Sequence, residues 1–329
     1  MENWILKFED VSISYKTKRG YLQAVSNASF EVGQGQSVAL IGESGCGKTT
    51  IATSVVGILP LAARIDGGHV LYRKGDGSIA DMYSLSRKER RILLWKDIVM
   101  MFQASQSSFN PVRKIYTQFL DTVKAHESGK SDREILERSR ELLEMVMLDP
   151  DKVLYSYPHE LSGGMKQRTL LALTMILNPR ILILDEPTTA LDLITQEKIL
   201  RLLNDMRRRF NFSLIFITHD LSIVSELADK VVTMYAGEVV ETAPVRAFFT
   251  HPLHPYSDGL LKAIPRLTTS SDNLFSIPGN TPDLIDRPSG CLFHPRCAYA
   301  DEKCSQCRPC TTYLEDRSYS CFHPAGGDE

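Results

Sequence analysis

The sequence predicts an α/β protein in which a largely parallel β-sheet is covered by helices. Short β-type runs dominate the N-terminal third, and the apolar run "SVALI" at 37–41 is typical of a buried central strand. Toward the C-terminus, "ILILD", "SLIFIT" and "KVVTMYA" alternate with helical stretches, which is the pattern of parallel strands joined by helices. Between these parts, residues 113–178 show apolar residues at helical spacing and no strand signal, which predicts a helical insert.

Local patterns predict further elements and one domain boundary. Other β-type runs are "ILKFEDVSI", "ASFEV", "HVLY" and "IVMMF". Ser86 and Glu89 have the spacing of a capping box, so we expect a helix to begin at "SRKERRILL". Beyond Pro265 the chain becomes rich in Pro, Ser, Thr and Cys. We therefore predict one large domain over residues 1–264 and a small C-terminal extension over 265–329.

Composition excludes some classes of protein. The chain has 329 residues, with 38 basic and 40 acidic side chains and a net charge of −2. This balance argues against a nucleic-acid-binding protein, which normally shows a basic footprint. No apolar run approaches the roughly 20 residues needed to cross a bilayer, and the N-terminus lacks the pattern of a signal peptide. We expect a soluble, cytosolic chain.

The segment "GESGCGKTT" at 42–50 matches the phosphate-loop motif, Gly, four residues, then Gly-Lys-Thr. It follows the predicted strand 37–41 and precedes a helical run, which is the context that the motif requires. Glycines let backbone N–H groups surround a phosphate, Lys48 would bridge the β- and γ-phosphates, and Thr49 would bind Mg²⁺. Only a chance Gly-rich turn competes with this interpretation. The predicted nucleotide-binding residues of the loop are Gly42, Glu43, Ser44, Gly45, Cys46, Gly47, Lys48, Thr49 and Thr50.

Two adjacent carboxylates end the apolar run "ILILDEP". Asp185 would hold Mg²⁺ and Glu186 could act as the general base that activates water. The alternative is that they form the N-cap of a following helix.

Three polar or aromatic residues are candidates beside these motifs. His219 follows the run "SLIFIT" and could contact the γ-phosphate, although a lone His is usually a loop residue. Gln103 follows "IVMMF" and could reach Mg²⁺ or the attacking water, although a lone Gln is ordinarily structural. Tyr15 could stack on adenine or be an ordinary strand aromatic.

A second candidate anion cradle occurs in "LSGGMKQ" at 161–167, where a serine and two glycines precede an apolar helical run. It lacks the Gly-Lys-Thr of a phosphate loop, because its lysine, Lys166, does not follow a glycine, and it has no preceding buried strand. Ser162, Gly163 and Gly164 can therefore donate hydrogen bonds to a phosphate but cannot by themselves anchor a triphosphate.

In their order along the chain, these motifs resemble those of the ATP-binding cassette (ABC) ATPases, over about residues 4–262. The resemblance implies the ABC ATPase fold, with a RecA-like parallel core, an N-terminal antiparallel β subdomain and a helical subdomain. It also implies that two cassettes meet head to tail, so that Ser162, Gly163 and Gly164 of one cap the ATP held by the other. Asp192 in "ALD" would lie at the same contact.

The segments "HPLHPYSDGLLKAIP", "IPGNTPDL" and "GCLFHPRCAYA" are similar to the dipeptide/oligopeptide importer branch of these ATPases. That resemblance implies peptide import through separate membrane permease subunits, fed by an extracytoplasmic solute-binding protein, with this chain peripheral on the cytoplasmic face. Ala104 and Ser105 depart from the Asp-Pro usual in this branch. Alternatives are a nickel or other small-solute importer, or a soluble ABC ATPase outside transport.

The last part of the chain contains six of the seven cysteines. In a reducing cytosol such a group binds metal more often than it forms disulfides. By the same resemblance, four of them occupy family positions at which some relatives hold a four-iron, four-sulfur cluster; tetrahedral zinc is the alternative. These four are Cys291, Cys297, Cys304 and Cys321. Cys307 and Cys310 extend the group, and we expect at least two thiols to stay unligated.

Overall fold

The computed structural model describes residues 3–102, 108–187, 193–263 and 275–325. The chain divides into two compact units. The first consists of Met1–Ser84 and Phe216–Glu329, and the second of Leu85–Ile215.

The strands carry the labels used below. They are β1 (Trp4–Thr17), β2 (Gly20–Gly33), β3 (Ser37–Ile41), β4 (Ala63–Arg73), β5 (Ile79–Asp81), β6 (Ile98–Met101), β7 (Ile181–Asp185), β8 (Ser213–Ile217), β9 (Lys230–Tyr235), β10 (Glu238–Pro244), β11 (Thr312–Tyr313) and β12 (Ser318–Tyr319).

The helices are labelled in the same way. They are α1 (Lys48–Val56), α2 (Arg87–Leu93), α3 (Ile115–His126), α4 (Asp132–Met145), α5 (Pro150–Leu154), α6 (Gly163–Thr174), α7 (Leu193–Phe210), α8 (Leu221–Leu227), α9 (Val245–Thr250), α10 (Pro255–Lys262) and α11 (Glu302–Gln306).

The first unit contains two kinds of sheet. Strands β2, β1, β4 and β5 form an antiparallel sheet in that order. Beside it, β3 pairs with β9 in parallel, and β10, β12 and β11 extend that sheet in antiparallel fashion. Every residue of β3 is buried, as expected for a strand covered on both faces. This buried strand leads directly into the phosphate loop and α1.

The second unit combines a parallel strand pair with a group of helices. Strands β6 and β7 pair in parallel from Ile98 opposite Ile181 to Met101 opposite Leu184. All five residues of β7 are buried. Helix α4 is amphipathic, and its buried face includes Ile135, Leu142 and Leu143. The chain returns to the first unit within β8.

The main secondary-structure predictions are confirmed. The predicted runs correspond to β1, β2, β3, β4, β6, β7, β8 and β9, and residues 113–178 contain α3 to α6. Ser86 and Glu89 form both hydrogen bonds of a capping box at α2. The predicted boundary after residue 264 falls outside the described residues and stays a prediction. Strand β10 was not predicted, and neither were the short strands β5, β11 and β12, whose two or three residues give no detectable alternation.

Within the described ranges, the helices are too short or too polar for any of them to cross a lipid bilayer.

Candidate functional site

The phosphate loop, Gly42–Thr49, connects β3 to α1 and needs glycine for conformation and for space. Gly42 has φ +142°, and a Cβ there would lie 2.1 Å from the carbonyl oxygen of Met234. Gly45 has φ +81°, and a Cβ there would meet nothing within 4 Å. The loop is therefore packed tightly against β9 at its start and open at its middle, where a bound phosphate could approach the backbone.

This difference predicts unequal effects for two matched substitutions. Gly45→Ala should cost about 1–2 kcal/mol of unfolding free energy, because alanine is strained at positive φ. Gly42→Ala adds a backbone clash and should cost about 4 kcal/mol or more. Thermal unfolding of the nucleotide-free protein measures both. Equal losses in the two variants would contradict the packing described for Gly42.

Lys48 lies at the start of α1 and folds back over the loop. Its Nζ donates hydrogen bonds to the carbonyl oxygens of Gly42 at 2.7 Å and Glu43 at 2.9 Å. It also contacts the Cys46 sulfur at 3.4 Å. Burial raises the pKa of the Cys46 thiol, which therefore stays neutral. The ammonium group is buried but fully hydrogen-bonded, and phosphate oxygens could replace these backbone acceptors.

Tyr15 and Thr50 meet beside the loop. The Tyr15 hydroxyl, on β1, hydrogen-bonds the Thr50 hydroxyl on α1 at 3.0 Å. The predicted magnesium ligand Thr49 and the loop residue Ser44 are both exposed. Tyr15 thus lies next to the end of the phosphate loop within the first unit.

Glu43 is tied to the C-terminal part of the chain. Its carboxylate accepts two hydrogen bonds from Arg296, one from Nη1 at 2.6 Å and one from Nη2 at 2.9 Å. Its backbone N–H donates to the Tyr256 hydroxyl at 2.8 Å. The carboxylate raises the pKa of Arg296, as a bidentate partner should.

Tyr256 is positioned by the start of α10. His254 caps that helix, because its Nδ1 accepts the Tyr256 N–H at 3.0 Å, and Pro255 occupies the first helical position. Burial lowers the pKa of His254 to about 3, so the ring is neutral and available as an acceptor. The Tyr256 ring packs against Tyr235 at 4.7 Å and Phe293 at 5.4 Å between centroids.

Asp185 and Glu186 lie in the second unit, where β7 ends. Asp185 is 4% exposed, although it carries a carboxylate. Glu186 has φ +49°, a left-handed conformation that costs a residue other than glycine about 1–2 kcal/mol. Backbone strain of this kind concentrates at functional sites. An N-cap residue is usually extended, so the left-handed backbone of Glu186 does not suit the alternative role of a helix cap.

Ser162 caps the second candidate cradle, also in the second unit. Its hydroxyl accepts the N–H of Met165 at 3.3 Å, and helix α6 begins at Gly163, as predicted. Ser162 and Gly163 are exposed, and a Cβ on Gly164 would meet only Thr195, at 3.8 Å. The N-terminus of α6 is therefore accessible to a ligand or to another protein chain.

Two side chains of α6 fix this helix within its unit. Arg168 donates to the carbonyl oxygens of Val146 at 3.2 Å and Met147 at 2.9 Å, which follow the end of α4. Gln167 donates to the carbonyl oxygen of Pro187. The helix that carries Ser162 is thus linked to the segment that follows Glu186.

Of the remaining residues singled out beside the ATP motifs, only His219 lies within the described ranges. Gln103 and Asp192 lie outside the described residues, as do Ala104 and Ser105. His219 follows β8 and is exposed in the first unit.

The C-terminal cysteines separate into two groups. One small cavity in the first unit is lined by Cys291, Cys297, Cys304 and Cys321, together with Phe293, Phe322 and other residues. Cys307 and Cys310 are exposed and do not line it. Burial raises the pKa of each of the four cavity thiols, that of Cys321 to about 12.

A second possible ligand set overlaps this cavity. Among the residues that the structure describes, Asp301, Cys304 and His323 bring three ligand atoms within 4.8 Å of one another. His323 Nε2 lies 2.9 Å from Asp301 Oδ2, so these two side chains already form a hydrogen bond.

Sequence reasoning missed Arg296, Tyr256 and Gln167. All three lie in stretches quoted from the sequence above, "GCLFHPRCAYA", "HPLHPYSDGLLKAIP" and "LSGGMKQ", but their side chains were given no role, because each contacts a residue at least 20 positions away. A buried arginine needs a partner, which the sequence alone does not name.

The fold and the motifs together define an ATPase, and the chain belongs to the ABC transporter family. The model of that family, described as ABC transporter, matches residues 25–189. A second model, described as the C-terminal region of oligopeptide/dipeptide transporters, matches residues 240–304. The resemblance drawn from the motifs is confirmed, including its C-terminal extension.

Similar proteins cover nearly the whole chain. The dipeptide transport ATP-binding protein DppD of Caldanaerobacter subterraneus subsp. tengcongensis is 41% identical over 97% of this chain and 96% of its own length. The oligopeptide transport ATP-binding protein OppD of Salmonella typhimurium is 38% identical over 98% of this chain and 94% of its own.

Solved structures support the fold. The dimeric post-hydrolysis structure of the ATP-binding cassette MJ0796, bound to ADP and Pi, has a TM-score of 0.64 at 25% identity and covers 73% of this chain and 99% of that one. The structure of cbiO1 from Clostridium perfringens, part of the transporter complex cbiONQ, has a TM-score of 0.61 at 26% identity, over 75% and 91%. The predicted α/β cassette fold is confirmed.

Proposed function

We propose that this chain is the ATP-hydrolysing subunit of an importer of dipeptides or oligopeptides. The observation that carries the proposal is the presence of both a cassette and the oligopeptide/dipeptide C-terminal region in one chain, with relatives named for peptide transport. The chain would sit on the cytoplasmic face of the membrane, against separate permease subunits that receive peptide from an extracytoplasmic binding protein.

Different residues of this chain would bind ATP and catalyse its hydrolysis. Lys48 binds the β- and γ-phosphates and the loop backbone surrounds them, with Tyr15 beside the adenine. Thr49 and Asp185 would hold Mg²⁺, which would neutralise phosphate charge, and Gln103 could contact the ion or the attacking water. Glu186 accepts a proton from the attacking water, and His219 contacts the γ-phosphate.

The cradle at Ser162 would serve the nucleotide of a second ABC ATPase subunit, identical or related. Its exposure and its lack of a Gly-Lys-Thr sequence support this assignment. A γ-phosphate held between two subunits stabilises the closed pair, and hydrolysis removes that bridging charge. Asp192 would lie at the same contact.

A membrane pull-down and an uptake assay test the proposal. The tagged chain, extracted with mild detergent, is expected to co-purify with permease subunits. Deleting its gene should abolish uptake of labelled dipeptides or oligopeptides, and the wild-type gene should restore it where the Lys48→Ala gene does not. Normal peptide uptake combined with lost nickel uptake would instead support the alternative of a nickel importer. A chain recovered only from the soluble fraction would support an ATPase outside transport.

For the cysteine-lined cavity we propose a four-iron, four-sulfur cluster, with zinc as the alternative. Four thiols around one partly apolar cavity match the donor set of either group.

Matched cysteine variants test this assignment. Cys297→Ser should lose the bound group, whereas Cys307→Ser, at an exposed cysteine outside the cavity, should retain it. Iron, sulfide and zinc analysis of anaerobically purified protein measures the outcome, with visible absorption as a second readout. Stoichiometric zinc without iron would contradict the cluster. Equal loss in both variants would contradict the choice of ligands.

A further inference from the structure

Glu43 occupies a position where the phosphate-loop motif accepts any residue. The motif explains the glycines, Lys48 and Thr49 but gives the Glu43 side chain no role. A carboxylate beside bound phosphates would repel them unless its charge were compensated. In this chain the compensation comes from Arg296, 253 residues away.

The Arg296 side chain is buried and is held by several hydrogen bonds. It is only 4% exposed, whereas that of Glu43 is 29% exposed. Its Nε donates to the carbonyl oxygen of Pro278 at 2.8 Å, and Nη1 also contacts the Tyr235 hydroxyl at 3.4 Å. Nη2 also donates to the carbonyl oxygen of Ile277 at 3.5 Å. With Nη1 and Nη2 each directed at one carboxylate oxygen, the guanidinium can hold Glu43 in one orientation.

Glu43 in turn contacts the residue that would bind phosphate. Its carbonyl oxygen accepts a hydrogen bond from Lys48, while its N–H donates to Tyr256. A displaced Glu43 would therefore move an acceptor of Lys48 as well as the loop backbone. Arg296 and Tyr256 constrain the side chain and the backbone of this one loop residue.

We propose that Arg296 is a positioning residue for the nucleotide site: by pairing with Glu43, it holds the phosphate loop in its binding conformation and neutralises the loop's only carboxylate. The C-terminal extension is then a part of the nucleotide site. This inference rests on the proposed role of Lys48 in phosphate binding.

Arg296 is carried by the stretch between Cys291 and Cys297, both of which line the cysteine cavity. Phe293, in the same stretch, packs against the ring of Tyr235 at 5.1 Å. A change in the cavity that shifted this stretch would therefore be transmitted to Glu43 through Arg296.

The test measures equilibrium binding of a fluorescent ATP analogue, together with KM and kcat for ATP hydrolysis, in the full-length protein. Arg296→Ala should raise the Kd and KM about 10- to 100-fold, because it leaves a loop carboxylate unpaired. The kcat at saturating ATP should stay within about threefold of wild type, since Glu186 is untouched. Arg296→Lys keeps the charge but not the two parallel bonds, and should raise the Kd by about threefold to tenfold.

Rescue distinguishes positioning from a general structural role. Adding Glu43→Gln to Arg296→Ala removes the unpaired charge and should return the Kd to within about threefold of wild type. Arg317→Ala is the matched control: Arg317 also joins the C-terminal part to the cassette, through Glu241 and the carbonyl oxygen of His251, without touching the loop. It should leave the Kd within about twofold of wild type.

The variant Lys48→Ala distinguishes failure of the nucleotide-site assignment from failure of the role proposed for Arg296. If Lys48→Ala binds the analogue as tightly as wild type, the nucleotide-site assignment itself is wrong. If Lys48→Ala loses binding while Arg296→Ala binds within about twofold of wild type, only the role of Arg296 is overturned. Absence of rescue by Glu43→Gln would overturn it equally. If Arg296→Ala does not fold, Arg296→Lys decides, and a wild-type Kd would contradict the proposal.

Discussion

Glu186→Gln is expected to keep ATP binding and to lower the turnover of ATP by about 10²- to 10⁴-fold, the usual contribution of a general base. Glutamine has nearly the same shape but cannot accept the proton of the attacking water. Glu186 directly follows a strand whose residues are all buried, and its backbone is held at φ +49°. The surrounding structure fixes this residue at an energetic cost, as expected for a functional position. Because bound ATP is not hydrolysed in this variant, the closed pair of subunits should also accumulate.

Single-turnover hydrolysis and size-exclusion chromatography with Mg²⁺ and ATP measure these two effects. Glu197→Gln is the matched control, because Glu197 is a half-exposed residue of α7 in an ion pair with Arg201. That variant should hydrolyse ATP within about twofold of wild type. Unchanged hydrolysis by a properly folded Glu186→Gln protein would refute the assignment of the base.

Ser162→Arg is expected to abolish ATP hydrolysis while the isolated monomer still binds ATP. The substitution removes the helix cap made with Met165 and places a long, charged side chain at an exposed helix N-terminus. The phosphate loop, which supplies Lys48, is unchanged. If the cradle serves another subunit's nucleotide, binding and hydrolysis should therefore separate.

A second N-cap serine controls for the lost cap. Ser131 caps α4, where its hydroxyl accepts the N–H of Glu134. Ser131→Arg should cost a similar free energy of capping, about 0.5–2 kcal/mol, but hydrolysis should stay within about twofold of wild type. Loss of ATP binding by monomeric Ser162→Arg would mean that the cradle acts within its own chain.

The sequence was sufficient to predict the elements that local patterns encode. "SVALI" and "ILILD" predict buried strands because parallel strands covered on both faces are continuously apolar. The serine of "LSGGMKQ" predicts a helix start because its hydroxyl satisfies a free N–H of the first turn. In each case the cause lies within a few residues of its effect.

Contacts between distant parts of the chain could not be predicted in this way. Nothing near Glu43 indicates that its partner is Arg296, which lies 253 residues further along the chain. The cysteines show the same limit. Regular spacing groups Cys304, Cys307 and Cys310, yet only the first of these three lines the cavity. Folding brings Cys321 there instead.

The central claim is that one nucleotide is held by the lysine of one subunit and capped by the serine of another. A structure of the Glu186→Gln protein with Mg²⁺ and ATP, purified with whichever ATPase subunit pairs with it, tests this most directly. We expect the hydroxyl of Ser162 within hydrogen-bond distance of a γ-phosphate bound by the other subunit's phosphate-loop lysine. An ATP enclosed by a single chain, contacting both Lys48 and Ser162 of that same chain, would contradict the account.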